Sequence, residues 1–144
     1  MYRFNLQVLL DYRKRIEEGF QIELSLIQRE LKNARRELVS SQQEKTRYEE
    51  ELAEREAREV NLHESILYRD YLRGIRKKIE EQRGRVATIK IKFDKKQEEL
   101  LAATKNRKVL EKVKEKHANE FIQELEKKER AFVDEVGIRR YQRT

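Results

Sequence analysis

From Leu24 onward the apolar positions fall at alternating steps of three and four: Leu24, Ile27, Leu31, Ala34, Leu38, Ser41, Lys45, Tyr48 and Leu52. That alternation is a heptad seam, here interrupted by one serine and one lysine. A second run keeps the same rhythm through Ile75, Ile79, Gln82, Val86, Ile89, Phe93, Lys96, Leu100, Ala103, Arg107 and Leu110. Two long helices, each with a narrow apolar stripe of one period, bury those stripes best against each other. The pattern therefore predicts an all-α fold, a long antiparallel two-helix coiled-coil hairpin. Folding back near His63 pairs Leu52 with Ile75, Tyr48 with Ile79, Lys45 with Gln82, Ser41 with Val86, Leu38 with Ile89, Ala34 with Phe93 and Ile27 with Leu100. In that register Lys45 and Gln82 form one polar layer, which disfavours slipped pairings.

The expected organisation is a single coiled-coil domain over 1–144. Helix 1 covers about 3–59, a connector about 60–70, helix 2 about 71–136 and a C-terminal tail 137–144, with Gly137 as a plausible helix stop. Paired arms of about 60 residues predict a length of roughly 90 Å. Before Leu24 the apolar residues Tyr12, Ile16 and Phe20 follow in four-residue steps, which reads as a stutter that locally unwinds the supercoil. Gly19 within it costs about 1 kcal/mol relative to Ala.

Two segments hold more apolar residues than one seam needs. The first is Met1 to Tyr12, where Phe4, Val8 and Tyr12 either cover helix 2 or face a partner. The second is Val60 to Tyr71, where Leu62, Ile66 and Leu67 would hold down the reversal and Asn61 and Ser65 are the nearby cap-type residues. The register places Met1 opposite Glu126, so Lys127 onward overhangs the hairpin. That overhang carries Phe132, Val133, Val136, Ile138 and Tyr141 among Arg130, Arg139, Arg140 and Arg143, an amphipathic basic stretch suited to a partner.

Composition agrees with a rod. The chain has 144 residues, 44% of them charged and 37% hydrophobic, too few apolar residues for an ordinary globular core. Proline is absent and glycine numbers four, so little interrupts a helix. The absence of cysteine excludes disulfides, thiolate metal sites and a cysteine nucleophile. No apolar run approaches a bilayer span, and the polar residues among the first dozen argue against a signal peptide. The formal charge of +7 sits on a surface rich in both signs, with basic residues mostly beside acidic ones, so nucleic acid is not the expected partner. In Glu49 to Glu59 the pairs Glu51–Arg55 and Glu54–Arg58 have favourable helical spacing.

Candidate chemistry is sparse. His63 and His117 have no second ligand at a helix-neighbour spacing, there is no phosphate-cradling glycine loop or nucleophile elbow, and carboxylates on a solvated helix lack the burial that shifts a pKa. No catalytic residue, metal site, cofactor or small-molecule substrate is expected.

Three stretches carry a family likeness: FNLQVLLDYRKRIEE from Phe4 to Glu18, YLRGIRKKIEEQ from Tyr71 to Gln82, and LEKVKEK from Leu110 to Lys116 followed by Glu129 and Val133, Asp134 and Glu135. In that order and spacing they resemble the flagellar export protein FliJ family over the whole chain. The resemblance implies a cytoplasmic component of the flagellar type III export apparatus, peripherally associated with the inner face of the cell membrane and similar to the central stalk of rotary ATPases. It implies binding to the hexameric export ATPase, to the cytoplasmic domain of the export gate, and to export chaperones during their recycling. The ATPase end would be Phe4, Leu9, Arg130, Phe132, Val136, Arg139, Arg140 and Tyr141. The gate face would be Tyr48, Tyr71, Ile75 and Gln82, with Glu44 and Lys78 charged where the likeness implies an aromatic and a small residue. Two rival readings keep the same architecture: the equivalent stalk of a virulence secretion system, and a general holdase chaperone.

Overall fold

The computed structural model describes residues 2–58 and 61–143; Met1, Glu59, Val60 and Thr144, including the part of the expected connector that begins at Val60, lie outside the described residues. Two helices account for nearly all of them, α1 (Gln7–Arg58) and α2 (Leu62–Arg143), and the fold is an all-α antiparallel two-helix hairpin. Good helix formers without proline explain the length of both. Among the described residues no peptide is cis, and no glycine adopts positive φ.

The reversal is tighter than the sequence pattern predicts. Asn61 caps α2: its Oδ1 accepts hydrogen bonds from the backbone N–H of His63 at 3.1 Å and Glu64 at 3.4 Å. Glu64 adds a favourable negative charge in the first turn. The span 62–70, expected in the connector, is thus helical, and His63 lies within α2 instead of marking the fold-back. At the other end α2 continues through Gly137, because one glycine without an αL geometry or a following proline lowers helix stability too little to stop it.

The chain divides into two compact units, one formed by the segments before Phe20 and after Glu99, the other by Phe20–Glu99. In the latter the core gathers Ile27, Leu31, Ala34 and Ile89, with Val86 and Phe93 packed on it. Leu72, Ile75, Ile79 and Ser41 are also buried. Every expected seam residue of this unit is at least half-buried, but the register is displaced by one heptad. Glu37 meets Arg85 at 3.5 Å and Glu30 meets Lys92 at 3.9 Å, which sets Ala34 level with Val86 and Ile27 with Phe93. Closure at Asn61 is the physical cause, since it draws Tyr68 and Leu72 into the seam and moves each later partner one heptad toward the turn. The expected Lys45–Gln82 layer does not form. Lys45 turns outward to Glu49 at 3.7 Å, and the buried Oε1 of Gln82 has no hydrogen-bond partner.

Lys96 sits half-buried on the seam, its Nζ 2.6 Å from Glu23 and 2.9 Å from Glu99 and 5.1 Å from the Phe20 ring centroid. Hydrogen bonding to Glu23 first, then Glu99, raises its pKa. Among the acidic-segment pairs, Glu54–Arg58 forms at 2.8 Å, whereas Arg55 reaches Glu64 at 3.3 Å.

The other unit has a second core of Phe4, Leu10 and Leu110, with Tyr2 and Val113 packed on it. Residues 2–6 are not helical. They lay Tyr2 on Phe121 with ring centroids 5.5 Å apart and Phe4 on His117 at 6.0 Å, and the Tyr2 hydroxyl donates to the Lys114 carbonyl at 3.3 Å. The expected stutter is absent here: Leu10 and Glu17 take the buried positions, while Val8, Tyr12 and Ile16 are exposed. A heptad step from Leu10 lands on Glu17, and the carboxylate is accommodated because Arg107 meets it. The exposed end of α2 also begins earlier than Lys127. From Ile122 to Arg143 every described residue is exposed except the half-buried Val136.

Candidate functional site

In the unit Phe20–Glu99 the expected gate-face residues divide. Tyr48 and Tyr71 come together, ring centroids 4.5 Å apart and tilted 54°, and Tyr68 joins them at 6.1 Å from Tyr48. The guanidinium of Arg55 lies 5.2 Å from the Tyr68 ring and that of Arg47 5.5 Å from the Tyr48 ring. The Tyr71 hydroxyl donates to Glu44 at 2.5 Å. This hydrogen bond, then desolvation and the nearby negative charge, pushes the phenol up to about 12. The charged residue at position 44 is therefore the anchor of the cluster. Ile75 is instead buried in the core, and Gln82 is two turns further along α2 and half-buried.

Tyr68 belongs to this cluster and was not among the expected site residues. The signal for it was Tyr48 on the seam, which meets Tyr68 once the turn is placed at Asn61. Nearby, Leu62, Ile66 and Leu67 are exposed and do not hold the reversal down.

In the other unit the expected ATPase-end residues also divide. Phe4 is buried and supports the N-terminal strap, so its side chain is not available to a partner. Leu9 is exposed on α1. Arg130, Phe132, Arg139, Arg140 and Tyr141 are exposed on the final turns of α2, with Val136 half-buried among them. Phe132, Val136 and Arg139 recur at helical spacing and form one face, where Arg139 is held by Glu135 at 3.1 Å. This face combines aromatic and aliphatic surface with guanidinium groups, a composition suited to a partially acidic, apolar partner.

No group of three or more carboxylates and histidines able to hold a metal occurs among the described residues. Among them, too, no helix is long and apolar enough to cross a membrane.

These features coincide with a family assignment. The family model described as Flagellar FliJ protein matches residues 2–144, and the chain belongs to that family. It is accordingly a flagellar export-associated protein. No curated protein and no solved structure matched the chain.

Proposed function

We propose that this chain is a stalk-like coupling component of flagellar type III export, without catalysis of its own, working in the cytoplasm at the inner face of the membrane. Its partners in this reading are the hexameric export ATPase, the cytoplasmic domain of the export gate, and export chaperones that it helps to escort. The observation that supports it is the end of α2, where Phe132, Arg139, Arg140 and Tyr141 stand exposed on a regular helix. A basic helical end suits the central opening of a ring, with electrostatics guiding approach more than setting affinity. The Tyr48–Tyr68–Tyr71 cluster is the corresponding candidate for the gate.

Deleting Arg130 to Thr144 tests the reading. The truncated protein should melt almost unchanged, because the removed residues contribute little buried surface, and should lose stimulation of the cognate export ATPase. Full stimulation by the truncated protein would overturn the assignment of this end. A holdase role is favoured by one observation, the exposure of Leu62, Ile66 and Leu67 beside the turn. Suppressed aggregation of an unrelated client, lost on replacing those three with Ser, would support it.

A further inference from the structure

Ion pairs recur at heptad steps along the turn-proximal flank of the Phe20–Glu99 unit and then stop. On one flank Glu56 meets Arg69 at 3.1 Å, and one heptad further from the turn Glu49 meets Arg76 at 3.5 Å. The next equivalent step sets Gln42 diagonally opposite Arg83, and the one after sets Arg35 diagonally opposite Lys90, in the relation Glu49 has to Arg76. The pattern of opposite charges thus ends in two cations. Both line an open groove of about 670 Å³, with Lys32, Arg36, Val39 and Phe93.

Lys90 is occupied by Asp94 at 3.0 Å and rests over the Phe93 ring at 5.1 Å. Lys32, Arg35 and Arg36 have no ion pair among the described residues. The acids nearest them on α1, Glu30 and Glu37, are engaged on the opposite flank by Lys92 and Arg85. An ordinary solvated flank would alternate charges as the turn-proximal part does. Here three unpaired cations surround apolar surface, including Val39, whose side chain is exposed.

We infer that this groove docks an acidic amphipathic helix of a partner protein, laid alongside α1 as a third helix. The lining runs from Gln28 to Gln43, a rise of about 22 Å, or roughly four helical turns. Apolar residues of the incoming helix would cover Val39 and the edge of Phe93, while its carboxylates would meet Lys32, Arg35 and Arg36 and relieve the Arg35–Lys90 repulsion. A second copy of this chain is a poor occupant. Its net charge is +7, and the acids of its Glu49–Glu56 stretch include Glu49, Glu54 and Glu56, already paired with Arg76, Arg58 and Arg69. The surface is separate from both faces assigned above, so it stands or falls independently of them.

The test uses the full chain and a labelled synthetic helical peptide with a leucine face flanked by glutamates, alongside a scrambled peptide of the same composition. Fluorescence anisotropy should show binding of the helical peptide that weakens with salt. Arg35→Glu should weaken it at least about tenfold, the loss of one charge-assisted contact and gain of a repulsive one. The same substitution should raise the melting temperature of the free protein by a few degrees, because a carboxylate there faces Lys90 as Glu49 faces Arg76. The Lys32→Ala, Arg36→Ala double variant should weaken binding with no change in melting. Equal binding of both peptides, or undiminished binding by Arg35→Glu, would overturn the inference. So would complete competition by inorganic phosphate, which would make the groove a small-anion site, or a sedimentation dimer abolished by Arg35→Glu, which would make it a self-interface.

Discussion

Arg107 on α2 donates from Nε to the carboxylate of Glu17 on α1 at 2.5 Å, and both side chains are largely shielded from water. The same guanidinium reaches Glu111 from Nη1 at 2.8 Å. Hydrogen bonding to Glu17 first and Glu111 second raises the Arg107 pKa, so the cation is held charged. This is the charged layer of the hairpin seam, in a different place from the Lys45–Gln82 layer that the sequence pattern suggests.

Removing one member of that pair should be costly. Glu17→Ala leaves Arg107 on the seam with Glu111 alone, and a shielded charge that loses its partner destabilises more than the intact pair stabilises. The melting temperature is expected to fall by roughly 5 °C or more, read by circular dichroism. Replacing both Glu17 and Arg107 by Leu should recover most of the loss. An unchanged midpoint for Glu17→Ala would show that the pair is solvated and contributes little.

Gln82 presents the opposite case, a seam position whose Oε1 is buried without a partner. An unmet buried acceptor costs about 1–3 kcal/mol, so Gln82→Leu should stabilise the protein by about 1–2 kcal/mol. Lys45→Leu should change stability little, because the half-buried Lys45 reaches outward to Glu49 and leaves no buried polar group unmet. Chemical denaturation of the two variants separates the effects. A lower midpoint for Gln82→Leu would mean that the amide makes a contact the apolar side chain cannot replace.

The two seams were legible because Leu24 to Leu52 and Ile75 to Leu110 keep the heptad for many turns. Their register was not, for a physical reason: a slip of one heptad returns every side chain to the seam, so periodicity alone cannot distinguish the two pairings. Only the position of the turn breaks the degeneracy, and it rests on the side chain of Asn61 in a stretch with no proline or glycine. Glu17 was obscured by better-looking apolar neighbours, since Tyr12, Ile16 and Phe20 suggest a stripe that the pairing with Arg107 displaces. Tyr48 and Tyr71 were found from a family likeness, whereas Tyr68 and the anchoring role of Glu44 follow only once the register is known.

The Tyr71–Glu44 contact should be visible in a spectrophotometric titration. The phenol is pushed from its ordinary 10.0 up to about 12, so the folded protein holds that proton more tightly than the unfolded chain does. Its contribution to stability is present in full below pH 10, declines between 10 and 12, and is gone above 12. Subtracting the phenolate absorbance curve of Tyr71→Phe from that of the unmodified protein should leave one transition near pH 12. Glu44→Gln should move that transition toward 10, because the negatively charged acceptor is its main cause. A difference transition already at pH 10 in the unmodified protein would show that the hydrogen bond does not form.

The register itself can be checked by cross-linking, because the chain has no cysteine of its own. The ion pairs Glu37–Arg85 and Glu30–Lys92 place Ala34 level with Val86, whereas the one-heptad alternative places it level with Phe93. Those two positions on α2 are a heptad apart, about 10 Å along the helix, and a disulfide tolerates Cα separations of only about 4.4–6.8 Å. Ala34→Cys with Val86→Cys should therefore oxidise to an intramolecular disulfide, seen as faster migration on a non-reducing gel. Ala34→Cys with Phe93→Cys should stay reduced or form intermolecular products. The reverse result would restore the longer connector and the Lys45–Gln82 layer. It would also dissolve the Arg35–Lys90 juxtaposition, because in that register the same diagonal step sets Lys90 opposite Gln42. The cross-link thus decides the geometry on which the acidic-helix groove depends before any partner is sought.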